Sequence, residues 1–336
     1  MISNILSDST YRIESEIGSG GGGVVYKAWH TRLQKYVVIK ELKRGSDNDI
    51  ETQRNEVEAL KNVKSAYLPQ VYDLIDEVVR DDDGTVVKNP DGSEVKRIFT
   101  VMEFIEGDSL DKLLERGQKF TQAQVVKWYA QIASALEEIH KKDVCTRDIK
   151  PATIMLKPSD DVCLIDFNAA LVSGNDVRLI SRSLGYASPE QYEIYERHKN
   201  TYLTPIHLDS SSVAIASASG ATTDILKDGD ETEFIGEDGQ LTEVLPENRD
   251  MQKTELITPT AIDGIDWKRS DIYSLGATMY HLLSDNHPPE RAKEAIPISK
   301  LGHFGEGIIF VIEQSMQLKP TERFTTVASL LDAIQN

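Results

Sequence analysis

Long apolar runs are missing from this sequence. Nowhere in its 336 residues do about 18 apolar residues follow one another, so no membrane insertion is expected. The opening stretch MISNILSDSTYRIES lacks both the basic start and the apolar centre of a secretory leader, and the expected location is cytoplasmic. Cysteine is scarce. Cys145 and Cys163 are the only two, and two buried thiols are expected rather than one disulfide, as suits a reducing compartment. Positive charge is also short: 37 Lys and Arg stand against 55 Asp and Glu, a net charge of −18. That balance argues against nucleic acid or an anionic membrane as the main partner.

What is present suits a soluble enzyme-sized domain. At 40% apolar and 27% charged residues, the chain can build a core and keep a polar surface. Its length fits one large two-lobed domain or two ordinary ones. Residues 201–264 hold 13 acidic and 3 basic residues, more than half of the net charge, with SSSVAIASASGATT near their start. This block reads as a weakly ordered insertion. Around it the periodicities are clear. Residues 11–42 alternate as strands about a glycine run, and Ile50–Lys64 has Val57, Leu60 and Val63 on one helical face. Strands are expected near 70–79 and 97–104, with DDDGTVVKNPDGSE between them as an elongated hairpin. Thr121 can cap a helix through about His140 that turns Trp128, Ile132, Leu136 and Ile139 inward. A short strand pair brackets 153–166. Asp271 is read as opening a helix to Ser284, and a last helix lies near 325–334. A strand-rich first third and a helical remainder imply two lobes with a cleft between them.

Several motifs carry chemistry. GSGGGGVVYKA fits G-x-G-x-x-G-x-V through Gly18, Gly20, Gly23 and Val25. Without a Cβ, such a loop lets backbone amides approach phosphate oxygens. Lys40 ends VVIK on the next strand, and Glu56 lies on the helix that follows. Then come TRDIKPAT with Asp148 and Lys150, LIDFN with Asp166, GYASPEQY with Glu190, SDIYSLGATMYHLL with Asp271, and KPTERF with Arg323. Each alone has a plainer reading as a turn, a linker or a solvated charge. In this order and at these separations they resemble the eukaryotic-type serine/threonine protein kinase family, also found in bacteria.

The resemblance runs from about Tyr11 to Asn336, the acidic insertion excepted. It implies an α+β, two-lobed protein kinase fold with a small β-rich N-lobe and a large, mainly helical C-lobe. Residues 1–10 would be an N-terminal extension, 11–104 the N-lobe and 105–336 the C-lobe, interrupted at about 194–264. The cofactors implied are ATP and Mg²⁺ or Mn²⁺. Gly18, Gly20 and Gly23 would cover the phosphates, with Lys40 holding them and pairing with Glu56. Met102 would be the gatekeeper, the backbone of Glu103 and Ile105 would bind adenine, and Val25, Val38 and Met155 would sandwich it. Asp148 would accept the substrate hydroxyl proton, Lys150 would neutralise the moving phosphoryl group, and Asp166 would hold the metal. Asp271 would brace the catalytic loop and Glu190 would pair with Arg323. Arg147, before Asp148, implies control by the activation segment, where Ser181 and Ser183 are candidate phosphosites.

Three positions depart from the family pattern. Thr146 stands where His is usual, Asn168 where Gly is usual, and Thr153 where Asn ligates the second metal. A Thr hydroxyl is a hard but short oxygen ligand, so weaker second-metal binding is expected rather than none. With Lys40, Glu56, Asp148, Lys150 and Asp166 all in place, the expectation is a serine/threonine protein kinase, active but slow, that acts on protein substrates and autophosphorylates. The alternative is a pseudokinase or scaffold that binds ATP or partners.

The acidic block repeats one pattern four times: TDIL from Thr223, TEFI from Thr232, TEVL from Thr242 and TELI from Thr254. Each is Thr, acid, apolar, aliphatic, and the composition of the block yields only about 0.1 such matches by chance. The repeats read either as a solvated loop with short edge strands or as phospho-acceptor sites. In the second reading the aliphatic residue at +3 resembles ligands of forkhead-associated domains. Such a protein would then be a partner, together with a phosphatase to reverse the signal.

Overall fold

The computed structural model describes residues 5–6, 10–20, 23–42, 54–165 apart from 55, 56, 59, 80, 82, 90, 91 and 93, then 171–172, 180–203, 254–257 and 265–335. Glu56, Asp166, Asn168, Thr223, Thr232 and Thr242 lie outside the described residues. The chain divides into two compact units, Met1–Lys199 with Gln252–Asn336 and, by itself, Asn200–Met251. In the second unit the described residues, 200–203, are helical.

Alternation builds the first third. Strands β1 (Ile5–Leu6), β2 (Tyr11–Gly20), β3 (Gly23–His30), β4 (Lys35–Leu42), β5 (Val71–Val78) and β6 (Lys96–Glu103) form one antiparallel sheet in the order β1-β2-β3-β4-β6-β5. Successive side chains on a strand take opposite faces. One face carries Tyr26, Ala28, Val37, Ile39, Phe99 and Val101, which are buried and make a core with Tyr11 and Ile75. Burying each of the larger of these stabilises the sheet by about 1.5–3 kcal/mol at most. The other face carries Val25, Lys27, Val38, Lys40, Thr100 and Met102. The order apolar, apolar, apolar, Lys in VVIK therefore alternates between the core face and the opposite face. Between β5 and β6 the chain folds back as expected, with Val87 N–H on Val79 O and Val95 N–H on Val87 O, both at 2.9 Å.

Helices dominate the rest. In chain order they are α1 (Leu110–Glu115), α2 (Gln122–His140), α3 (Pro189–Leu203), α4 (Trp267–Ser284), α5 (Glu306–Ser315) and α6 (Val327–Gln335). Short strands lie among them: β7 (Asp108–Ser109), β8 (Val144–Cys145), β9 (Ile154–Leu156), β10 (Val162–Leu164), β11 (Leu171–Val172), β12 (Ile180–Ser183) and β13 (Thr254–Ile257). The start of α2 is fixed by a capping box. The Gln124 N–H donates to the Thr121 hydroxyl at 3.3 Å, and the Gln124 side chain accepts the Thr121 N–H at 3.1 Å. Trp128, Ile132, Leu136 and Ile139 of α2 are fully buried, as their spacing predicts. They share the large core with Leu275 and Met279 of α4 and with Val311 and Ile312 of α5. Leu60 and Val63 join that core, with Val57 packed against it.

One reading changes. Asp271 does not open its helix: α4 begins at Trp267, and its cap is Asp266, which accepts the Arg269 N–H at 3.2 Å. Asp271 sits in the second turn and is wholly buried, so its carboxylate serves the interior rather than the helix end. Helix α5 was not foreseen, although Ile308, Val311 and Ile312 give it an apolar face at helical spacing. Helix α3 continues to Leu203, past the expected start of the insertion. Among the described residues no helix is long and apolar enough to cross a membrane.

Candidate active site

A carboxylate with no access to water must find donors inside the protein. Asp271 finds four. Its oxygens accept from the Thr146 N–H at 2.9 Å, the Thr146 hydroxyl at 2.9 Å and the Arg147 N–H at 2.7 Å, and His140 Nε2 lies at 2.8 Å. Helix α4 thereby grips the loop between β8 and β9 from inside. Thr146, where the resemblance expects His, contributes two of the four bonds. Arg147 takes a left-handed backbone at φ 59°, uncommon outside glycine, and the turn lets the amides of 146 and 147 converge on one carboxylate. The Gln191 side chain holds the Arg147 carbonyl at 2.9 Å, and the Arg147 guanidinium lies 5.3 Å over the Trp267 ring. His140, Cys145 and Asp271 lie close enough to suggest a metal cluster. The chemistry is wrong for one, because Asp271 is saturated with donors and burial, with Asp271 alongside, pushes the Cys145 thiol up and keeps it protonated. Cys163 is also a free, buried thiol, raised by burial to about 12.

Beyond this anchor the loop presents its working end. Lys150 Nζ donates to Asp148 Oδ2 at 2.9 Å and to the Ser183 hydroxyl at 2.9 Å, and that hydroxyl donates to Asp148 Oδ1. Asp148, Lys150 and Ser183 thus close a triangle that ties the loop to β12. All three are largely buried, so the charges act across a poorly screened space. Thr153 supports the loop from behind. Its hydroxyl accepts the Lys150 N–H at 3.1 Å and reaches the carbonyls of Lys150 at 3.0 Å and Asp148 at 3.2 Å. That hydroxyl has its proton and one lone pair committed to the backbone.

The sheet lays out the second half of the site. Gly18 pairs with Val25, Val25 with Lys40, and Lys40 with Thr100, so one row crosses four strands. The next row is Lys27, Val38 and Met102. Lys40 is only 9% exposed, and the Thr100 hydroxyl beside it is buried without a hydrogen-bond partner among the described residues. Gly23 takes φ 120°, a conformation that a side chain would strain, and a Cβ on Gly18 would meet nothing within 4 Å. Glu103 ends β6, its N–H on Gln70 O at 2.8 Å, and leads into Ile105. Met155 on β9 is half-buried and stands opposite Cys163. Half-buried apolar side chains thus stand next to a buried amine on one face of the sheet. Gly20 is described only as the end of β2.

The segment after β12 is held tightly. The N–H groups of Tyr186 and Ala187 both return to Ser183 O, at 3.1 and 2.9 Å. Gly185 has φ 80°, and a Cβ there would come 2.3 Å from Pro288 O. The Tyr186 hydroxyl meets His281 Nδ1 at 2.6 Å, and burial lowers His281 to about 4. Glu190 and Arg323 form the expected pair as a bidentate fork at 2.6 and 2.8 Å. Sequence reasoning missed His140, Gln191 and Thr100. The signal for each is its distant partner rather than its neighbours in the chain.

The model of the protein kinase domain matches residues 11–267. A protein of Clostridium acetobutylicum named as a probable serine/threonine-protein kinase is 32% identical over 198 residues, covering 57% of this chain and 27% of its own. The serine/threonine-protein kinase PknA of Corynebacterium glutamicum is 32% identical over 193 residues, 55% of this chain and 39% of its own. PknL of Mycobacterium tuberculosis, another serine/threonine-protein kinase, is 30% identical over 198 residues, 56% and 45% of the two chains. The aligned part thus spans less than half the length of each of these relatives.

Proposed function

The chain belongs to the protein kinase domain family, and on that footing we propose that it transfers the γ-phosphoryl group of ATP to Ser or Thr hydroxyls of proteins. The observation that carries this reading is the triangle of Asp148, Lys150 and Ser183, anchored from behind by Asp271. In this reading, Asp148 takes the proton of an incoming hydroxyl. Lys150, already at 2.9 Å from Asp148, supplies positive charge on the same side. Lys40 holds anionic phosphate at the end of the apolar row of Val25, Val38 and Met102, with Glu56 as its partner. Gly18, Gly20 and Gly23 cover the phosphates, the backbone of Glu103 and Ile105 meets the base, and Met155 closes its other side. Bound ATP supplies the phosphoryl group, and Mg²⁺ or Mn²⁺ neutralises its charge. Asp166 is the residue for that metal, with Thr153 a weak second ligand because its hydroxyl already serves the loop.

The same commitment of Thr153 favours a second reading, a pseudokinase that binds nucleotide or partners without transfer. In either reading the finer partners are a forkhead-associated protein on phosphorylated Thr223, Thr232, Thr242 or Thr254, and a phosphatase. Autophosphorylation at these threonines, or at Ser181 and Ser183, belongs to the first. Thermal unfolding with and without MgATP separates the readings when paired with label transfer to protein. The kinase shows a rise in Tm, lost in Lys40→Met, and label in Ser or Thr. A rise in Tm without label supports the pseudokinase.

A further inference from the structure

Strand β13, Thr254–Ile257, pairs antiparallel with β12, Ile180–Ser183, and the register of the pair is selective. Thr254 stands opposite Ser183, Glu255 opposite Arg182, Leu256 opposite Ser181 and Ile257 opposite Ile180. Three of the four pairs match in residue type, hydroxyl with hydroxyl, acid with arginine and aliphatic with aliphatic, while Leu256 and Ser181 differ. Residue types of these three kinds at directly opposed positions favour pairing in general, and an acid is the charge that complements an arginine. The four-residue unit in β13 is also the unit that recurs as TDIL, TEFI and TEVL. Every copy offers the same residue classes in the same order, so every copy complements β12 in the same register.

We propose that the activation-segment strand Ile180–Ser183 is a docking edge for strands of the form Thr-acid-apolar-aliphatic, held in cis by Thr254–Ile257. Among the described residues β12 and β13 form a sheet of two strands. Such a ladder is marginal in water, which makes the occupant exchangeable. A one-residue slip would set the acid against Ser181 or Ser183 rather than Arg182, so the pattern also fixes the register. The edge ends at Ser183, whose hydroxyl bonds Asp148 and receives Lys150. Directly opposed residues in an antiparallel pair have Cα atoms about 4.5–5.5 Å apart. The Thr of a docked strand therefore lies one strand away from a residue in contact with Asp148. A cis occupant closes the edge to other strands, and its release opens it. The link to phosphoryl transfer rests on the function proposed above; the docking itself does not.

The test uses the full chain without ATP. A labelled peptide of residues 239–248, GQLTEVLPEN, is titrated and followed by fluorescence anisotropy. Ser181→Cys with Leu256→Cys places two thiols at opposed positions, within the Cα range that a disulfide spans. Mild oxidation is expected to close that link and to weaken peptide binding at least tenfold, with recovery on reduction. Glu255→Pro with Leu256→Pro removes strand donors from β13 and is expected to tighten peptide binding at least tenfold over the parent chain. In that released chain Arg182→Glu should lose the gain, and a peptide carrying TRVL in place of TEVL should regain it. Absence of the 181–256 disulfide overturns the proposal, as does equal peptide binding by the locked and released chains or indifference to Arg182→Glu. None of these readings needs phosphoryl transfer, so a chain that fails as a kinase still decides the docking edge.

Discussion

Asp148 and Thr153 lie in one loop but carry different expectations. The Thr153 hydroxyl is spent on the backbone of Lys150 and Asp148. If the second metal is the weak point, Thr153→Asn should raise activity several-fold at low Mg²⁺ and far less at saturating Mg²⁺. Initial rates across a metal titration check this, and an unchanged metal dependence counts against it. The cysteines make a simpler case. Burial raises both thiols, Cys163 to about 12, so neither is a thiolate at neutral pH. Iodoacetamide at pH 7.5 should leave both unmodified in the native chain and label both after denaturation, as read by intact mass. Labelling of the folded chain would show that one of them reaches solvent.

Among the elements, α3 and the segment after α5 are tied by a buried ion pair. Arg323 is wholly buried at its side chain and meets Glu190 through two bonds. Removing one partner of such a pair strands the other charge, which costs about 3–5 kcal/mol. Arg323→Ala should therefore lower the denaturation midpoint markedly, while replacing Thr121 at the head of α2 by Ala should cost only about 1 kcal/mol. Equal midpoints for the two variants would contradict this ranking. The elements also show what was legible. VVIK announced both faces of the sheet because alternation is local, and Thr121 announced α2 because a capping box is local. Asp271 was misread for the same reason: next to a helix its type suggests a cap, yet its function is set by Thr146 and Arg147, 125 and 124 residues away. The motif order pointed to Asp148, Lys150 and Asp271, but the bonding of Thr146 to Asp271, the Thr100 hydroxyl without a hydrogen-bond partner among the described residues and the pairing of β13 with β12 depend on contacts that no local pattern encodes.

Across the whole molecule, protonation of buried histidine links pH to stability. His281 is lowered from 6.5 to about 4, first by burial and then by His287, while its Nδ1 faces the Tyr186 hydroxyl. The unfolded chain thus binds one more proton than the folded one between pH 4 and 6.5, and stability rises with pH across that window. The span is at most about 3 kcal/mol, from the energy equivalent of a pKa shift. Denaturant midpoints at pH 7 and pH 5 should differ in the parent chain, and His281→Gln should shrink the difference. A difference of the same size in both would assign the pH dependence to other groups. The most direct measurement for the molecule as a whole is incubation of the purified chain and of Asp148→Asn with γ-labelled ATP, Mg²⁺ and a protein substrate. The account predicts label on Ser or Thr with the parent chain and none with Asp148→Asn; equal incorporation by both, or none by either, would contradict it.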